Sequence, residues 1–330
     1  FATLMLGHVA CGDDGDPELV TNPDGTTSTN TVGQGGAGAG GDDDDGGFVN
    51  PGGGAPPAPV PQFAELWYSV DSLLVHIDLD EADGTVEQLR SSPLSGGLPL
   101  GQNALTMLDD GTLLGSRLAD DNLSYFYRID EPPRDGSEAT PVPLGVMPDS
   151  IRVEGLYTDC AGRVYAMDTG TDNGNADGNR LLRFTGDPKT GDFTYVQVSD
   201  LGMADVADID DMGPAIVNNE IVDNPGLAID TGTLFDFNYE TGTGEQIGSA
   251  GTFGIHALGG ELFDDGDARL YAFDRDAFLY EVTNFEPNDI NGIEVSDSLV
   301  QGPEPSGGIR GWSGLAGPLT DCESGFTGPR

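Results

Sequence analysis

Basic residues are scarce in this chain. Thirteen Lys and Arg stand against 57 Asp and Glu in 330 residues, a formal net charge of −44, and Lys189 is the only lysine. A surface of that sign repels nucleic-acid phosphates and anionic lipid headgroups, so neither is expected as a partner. Histidine and cysteine are equally sparse, three of each. A zinc cluster of the usual ligand spacing is therefore excluded. No stretch keeps a helical period, which excludes a helix bundle. Ser313 sits in GWSG rather than GxSxG, so a nucleophile elbow is absent. Gly33, Gly35 and Gly38 satisfy GxGxxG, but no strand pattern precedes them and no helical one follows, and the dinucleotide reading lapses.

Charge and composition divide the chain. Nine acidic and no basic residues precede Gln62, and the remainder, with 48 acidic and 13 basic residues, still carries −35. Residues 12–61 are Gly-, Asp- and Pro-rich with almost nothing apolar to bury. Ordering them would cost more entropy than their contacts return, so a disordered tether with a stiffer Pro-rich end is expected. Beyond it, short alternating apolar runs are separated by Gly, Asp, Asn or Pro.

Those runs repeat. EGLYTDCAGRVYAMD from Glu154 has variants at Ala104 (ALTMLDDGTLLG), at Ala207 (ADIDDMGPAIV, degenerate), at Ala257 (ALGGELFDDGDARLYAFD) and at Gly314 (GLAGPLTD, a half-copy), at intervals of about 50 residues. The expectation is an all-β, five-bladed β-propeller over residues 62–320, followed by a tail at 321–330. Six blades would follow if residues 214–225 were misdivided. The first unit, ELWYSV from Glu65, LLVHIDL from Leu73 and residues 85–89, lacks one strand. IRGWSGLAGPL from Ile309 would supply it, pairing the two chain ends within one blade and closing the ring.

Two resemblances follow from these residues. FATLMLGHVA before Cys11 resembles the end of a bacterial lipoprotein signal peptide, with Cys11 as the lipidated residue. Ala10 fits, His8 departs from the usual Leu, and the basic start is lacking, so the sequence as given is expected to begin inside the signal (residues 1–11). Ten apolar residues cannot span a bilayer. The expected location is the bacterial cell envelope, with the lipid as the only membrane contact. The blades resemble those of exported bacterial propellers.

Aligning the repeats places Asn103, Glu154, Ala207 (with Asp205 and Asp208 beside it), His256 and Ser313 at one position, where the inner strands begin. Polar residues there could face a shared axis and hold a divalent cation. Glu154-Gly155 and Asn103-Ala104 resemble the strand starts of calcium-dependent lactonase and gluconolactonase propellers. That likeness implies Glu154, Asn103 and Asp208 or Asp205 as ligands of Ca2+, and His256 as a base on bound water. Against it, the family's full signature is missing and its members have six blades.

A second candidate calcium loop is TGTDNGNADGN. Asn173, Asn175 and Asp177 hold the i, i+2, i+4 spacing, and Asp172 adds a carboxylate. No Glu follows at the distance an EF-hand requires; Phe184 stands there. Cys160 and Cys322 both follow Thr-Asp, and either a disulfide or two unpaired buried thiols would suit them. His76 and Trp67 fall on strands and read as packing residues. The functional expectation is a tethered binding or scaffold module for a protein, glycan or small molecule, its acidic mouth attracting cations. The alternative is a metal-dependent lactone or ester hydrolase.

Overall fold

The computed structural model describes residues 64–149, 151–168, 180–200, 209–217, 220–230, 233–247, 255–262, 268–274, 276–284, 294–304 and 314–317. The chain divides into two units, Phe1–Gly54 and Ala55–Arg330, and every described residue lies in the second. Cys11 and the 12–61 segment lie outside the described residues. No helix among the described residues is long and apolar enough to cross a membrane.

Short β-branched and aromatic runs between Gly/Asp turns become antiparallel strands. Blade I contains β1 (Glu65–Val70), β2 (Leu73–Leu79) and β3 (Val86–Pro93). Blade II is β4 (Gly101–Met107), β5 (Leu113–Ala119), β6 (Ser124–Ile129) and β7 (Val142–Val146). Blade III is β8 (Val153–Thr158), β9 (Val164–Asp168), β10 (Arg180–Phe184) and β11 (Tyr195–Asp200). Blade IV is β12 (Asp211–Val217), β13 (Glu220–Asp230), β14 (Thr233–Asn238) and β15 (Thr243–Ile247). Blade V is β16 (Ile255–Leu262), β17 (Ala268–Asp274), β18 (Phe278–Asn284), β19 (Glu294–Val295) and β20 (Val300–Gln301), the last two both pairing with β18.

The fold is the expected five-bladed β-propeller. The degenerate unit forms no sixth blade, because its extra residues extend β13 to 11 residues and are absorbed by a register shift between Gly213 and Ala215. The turn residues carry out what their types suggest. Asp159 Oδ1 accepts the backbone N–H groups of Ala161 (3.0 Å) and Arg163 (2.7 Å), while Gly162 takes φ +75°.

Blade I gains its fourth strand from the other end of the chain. Trp67 N–H donates to Ala316 O at 2.6 Å and Ala316 N–H to Trp67 O at 2.8 Å, an antiparallel bridge inside β1. The alternation of β1 then divides its side chains between two neighbours. Leu66, Tyr68 and Val70 pack with Ala257, Tyr271, Phe273 and Leu279 of blade V. Trp67 packs with Leu105, Met107, Leu113 and Tyr127 of blade II.

Three further clusters join II to III around Phe126 and Leu182, III to IV around Tyr165 and Phe237, and IV to V around Ile229 and Leu270. Every pair of neighbouring blades therefore shares an apolar interface, and the ring is closed. Burying one such Leu or Phe contributes about 1.5–3 kcal/mol.

Closure demands small residues where the inner strands meet. Gly314 has φ +100°, and a Cβ there would lie 2.4 Å from Leu105 N and 2.8 Å from Leu105 O. Gly97 also has positive φ, +68°, but faces open space. Gly97→Ala is therefore expected to cost about 1 kcal/mol, for backbone strain alone. Gly314→Ala should cost about 3 kcal/mol or more, since the backbone of β4 cannot yield. Urea unfolding of the two variants measures the difference; equal losses would mean that the closing segment does not press on β4.

Candidate functional site

The inner strands begin at one end of the disc. Ladder register identifies the equivalent residues there. Leu105, Leu156, Met212 and Leu258 pair with Gly115, Ala166, Ala228 and Ala272 of their second strands. The residue two positions earlier is Asn103, Glu154, Asp210 or His256. Blade IV thus departs from the expected alignment: Asp210, not Ala207, occupies the ring position. Asp205, Ala207 and Asp208 lie outside the described residues, as do Ser313 and the side chain of His256. The misalignment has a physical origin: blade IV has Asp211-Met212 where the other blades have a small residue and Leu, so the small-Leu pair that marks the position is missing there.

Asn103, Glu154 and Asp210 are all buried. Two of them tie blades together. Asn103 Nδ2 donates to Ser69 O of blade I at 3.0 Å, and Glu154 Oε1 accepts from Gln102 Nε2 of blade II. Beside them Arg117, 1 % exposed, donates to Ser69 Oγ at 3.0 Å and to Pro99 O at 3.2 Å, and lies over the Tyr127 ring. Further along, Thr106 and Thr158 hydroxyls meet at 2.9 Å. Where Leu105, Leu156, Met212, Leu258 and Leu315 face one another, the space enclosed is about 20 Å³, room for a single water. Among the described residues no group of three or more His, Cys, Asp and Glu is disposed to hold a metal ion.

The acidic loops at this end are turn-formers. Asp121 accepts Leu123 N–H and Tyr125 OH; Asp274 accepts the N–H groups of Asp276 and Phe278 and the hydroxyl of Tyr280. Asp168 is fully buried and takes Arg152 N–H at 2.8 Å and Arg180 Nε at 2.8 Å, so it fixes both ends of the candidate calcium loop. Asp172, Asn173, Asn175 and Asp177 themselves lie outside the described residues. His76 is a packing residue, as expected: it is buried, its Nε2 is 3.0 Å from the Glu65 carboxylate, and its ring lies 4.3 Å from that of Trp67.

A cavity opens at the opposite end, where the inner strands turn outward. It is a cleft of about 900 Å³ between blades II and III. Its walls are the β4–β5 turn (Asp109, Asp110), the β8–β9 turn (Cys160 to Arg163) and the β10–β11 connection (Gly186 to Lys189), and Leu108, Val164 and Phe184 make an apolar floor. Lys189 Nζ reaches across to Asp110, and Arg163 Nε pairs with the buried carboxylate of Asp159 at 2.5 Å. Burial would raise the Asp110 carboxyl, but hydrogen bonds from Lys189 and Thr112 outweigh it and hold the group below the usual range. Cys160 is disulfide-bonded. The other two cysteines, Cys11 and Cys322, lie outside the described residues, so its partner does too. Sequence reading missed this cleft because its walls come from turns that each read as ordinary Gly/Asp turns.

Register also makes Asp211 the counterpart of Ala104, Gly155 and Ala257, a carboxylate where the other blades keep a small residue. It is 1 % exposed and its Oδ2 accepts Leu258 N–H of blade V at 2.9 Å. Burial pushes its pKa up to about 8, against the pull of the N–H groups of Leu258, Met212 and Leu315. The folded state therefore keeps a proton that the unfolded chain releases above about pH 4, and stability falls as pH rises toward about 8, by up to about 1.4 kcal/mol per unit. Asp211→Asn keeps volume and acceptor but removes the titration. Between about pH 5 and about pH 8 its urea midpoint should decline less than that of the wild type. Asp168, also raised by burial, slopes both proteins alike. Parallel declines would show that Asp211 is ionised.

Comparison with known proteins gives distant likenesses only. The chain is similar to virginiamycin B lyase from Staphylococcus aureus, with 12% identity over 70% of this chain and 66% of that chain and a TM-score of 0.37. It is similar to a protein of unknown function from Bacteroides caccae, with 12% identity over 72% of each chain and a TM-score of 0.33. It is also similar to AofleA from Arthrobotrys oligospora, with 12% identity, 78% of this chain, 76% of that chain and a TM-score of 0.39. The chain spans just under two thirds of the lyase, and likeness at this level says nothing about its site. No protein-family model and no curated protein matches the chain.

Proposed function

We propose that this propeller is a non-catalytic binding module whose ligand sits in the cleft between blades II and III. Lipid on Cys11 and the 12–61 segment would hold it at the cell envelope. One observation carries the reading: the cleft is large enough for a ligand, yet its walls offer no hydroxyl, imidazole or free thiol. Acyl transfer through a Ser, Thr or Cys nucleophile needs one of those groups beside a base. The general acid of a glycosidase must be a raised, protonated carboxyl, and Asp110 is shifted the other way. The plugged axis and the blade-tying work of Asn103 and Glu154 favour the same end of the disc.

The test is an array of peptides, glycans and small molecules probed with the full chain and with Ala161→Trp. Ala161 is exposed and lines the cleft, so an indole there fills the space and leaves stability within about 0.5 kcal/mol. The expected outcome is a retained ligand that the variant loses. No retained ligand, or one held equally by both proteins, overturns the reading.

A further inference from the structure

We infer that the cleft receives a lysine- or arginine-bearing segment of a partner polypeptide. The inference rests on the cleft being the binding site, and three features choose the ligand's chemistry. The rim carries Asp109, Asp110 and Asp187. Its two cations are already committed, Lys189 to Asp110 and Arg163 to Asp159. Among the described residues no cation pairs with Asp109, and the only hydrogen bond to the side chain of Asp187 comes from the Lys189 backbone N–H, at 3.0 Å. The rim is therefore net negative within a chain of charge −44, and a cationic ligand is drawn to it.

Below the rim, Leu108, Val164 and Phe184 are buried apolar side chains. That layering suits a side chain with an aliphatic stem and a charged head. A bare metal ion has no use for such a floor, and a phosphate or nucleic acid is repelled. The chain also displays the contact on itself: its only lysine crosses from blade III to rest on Asp110 of blade II. Lys189 so placed is an internal stand-in for the incoming ammonium, which would take Asp109 and Asp187 and compete for Asp110.

The experiment is fluorescence anisotropy with a dye-labelled Lys-Gly-Lys-Gly-Lys peptide and the full chain, at about 0.15 M salt. Asp109→Asn combined with Asp187→Asn should weaken binding about tenfold. Asn at 187 still caps the short turn at Pro188–Thr190, so the fold is kept. A control pair on exposed carboxylates elsewhere, Glu87→Gln with Asp297→Asn, should change affinity less than about twofold. Lys189→Ala, which frees Asp110, should tighten binding, a gain that loss of a merely structural contact would not give. Equal loss in the control pair, weaker binding by Lys189→Ala, or spermidine bound as tightly as the peptide each overturns the inference. Failure of the peptide to bind, alongside an array ligand lost in Ala161→Trp, would refute the ligand class and leave the cleft standing.

Discussion

Five inner strands must converge on one axis, and the space left between them sets the terms for the rest of the molecule. A Cβ on Gly259 would lie 2.9 Å from Leu315 O, and one on Gly213 would lie 3.2 Å from Leu258 Cβ. Such contacts leave no slack for a larger residue without moving backbone. The same closeness lets Trp67 and Ala316 pair across the chain ends, so that no blade is left with an open inner edge. An apolar interface then forms between every two neighbours, and the ring is held by packing rather than by any covalent link among the described strands. Asp211 is the exception to small residues at the axis, and its environment answers for it: buried and facing backbone N–H groups, it is most stable there without its charge.

Convergence also decides what the polar groups can do. Near the axis they have neighbours on both sides, and they act as ties. Asn103 holds blade I, Glu154 holds blade II, and the Thr106–Thr158 pair joins II to III. At the closing blade, Glu65 shows how such a tie is balanced. Burial disfavours its charge, yet the hydrogen bond from His76 and the two 2.6 Å contacts from Arg134 of the β6–β7 loop win, and the carboxyl is held below its ordinary range. Arg134 in turn lies over the Trp67 ring, next to the strand that seals the circle. An ion pair of this kind, its carboxylate buried and its guanidinium partly exposed, adds little net stability against an apolar substitute but fixes which surfaces meet. Here it fixes blade I against blade II.

Much of this was legible in the chain. The 50-residue spacing, the missing strand of the first unit and the GLAG segment that replaces it are patterns of apolar residues and turns, which is the information a sequence carries directly. The polar ring was legible in part. Asn103 and Glu154 emerged because an otherwise apolar strand start had no need of them, but blade IV was placed several residues early. Its true ring residue, Asp210, was hidden because Asp211 replaces the small residue that marks the position in the other blades. A signal did exist: the Asp-Asp pair before Met212 is as odd at a strand start as Glu154. The cleft was not legible at all. Asp109, Ala161 and Asp187 belong to three turns, each complete in its own hydrogen bonds, and only the arrangement of blades brings them to one rim.

That difference between the two ends follows from the connectivity. Where inner strands begin, each chain segment arrives from the outer edge of the previous blade, and side chains there are consumed in joining one blade to the next. Where the inner strands of blades II and III end, each passes at once into a tight turn whose carboxylate caps its own backbone, Asp110 for Thr112 and Asp159 for Ala161 and Arg163. Such turns satisfy themselves and leave their neighbours free. The β10–β11 connection is long enough to reach over this surface, and Arg128 of blade II holds it by Lys189 O at 2.7 Å. A wall is thereby raised beside turns that make no demands on it, and a cleft is the geometric result. Substitution of Asp109, Ala161 or Asp187 leaves the contacts of closure untouched, whereas a change at Gly314 or Asp211 falls on the axis where the blades meet. A propeller closed this tightly has its freedom to vary on its turns, and between blades II and III those turns set Asp109, Asp110 and Asp187 above an apolar floor.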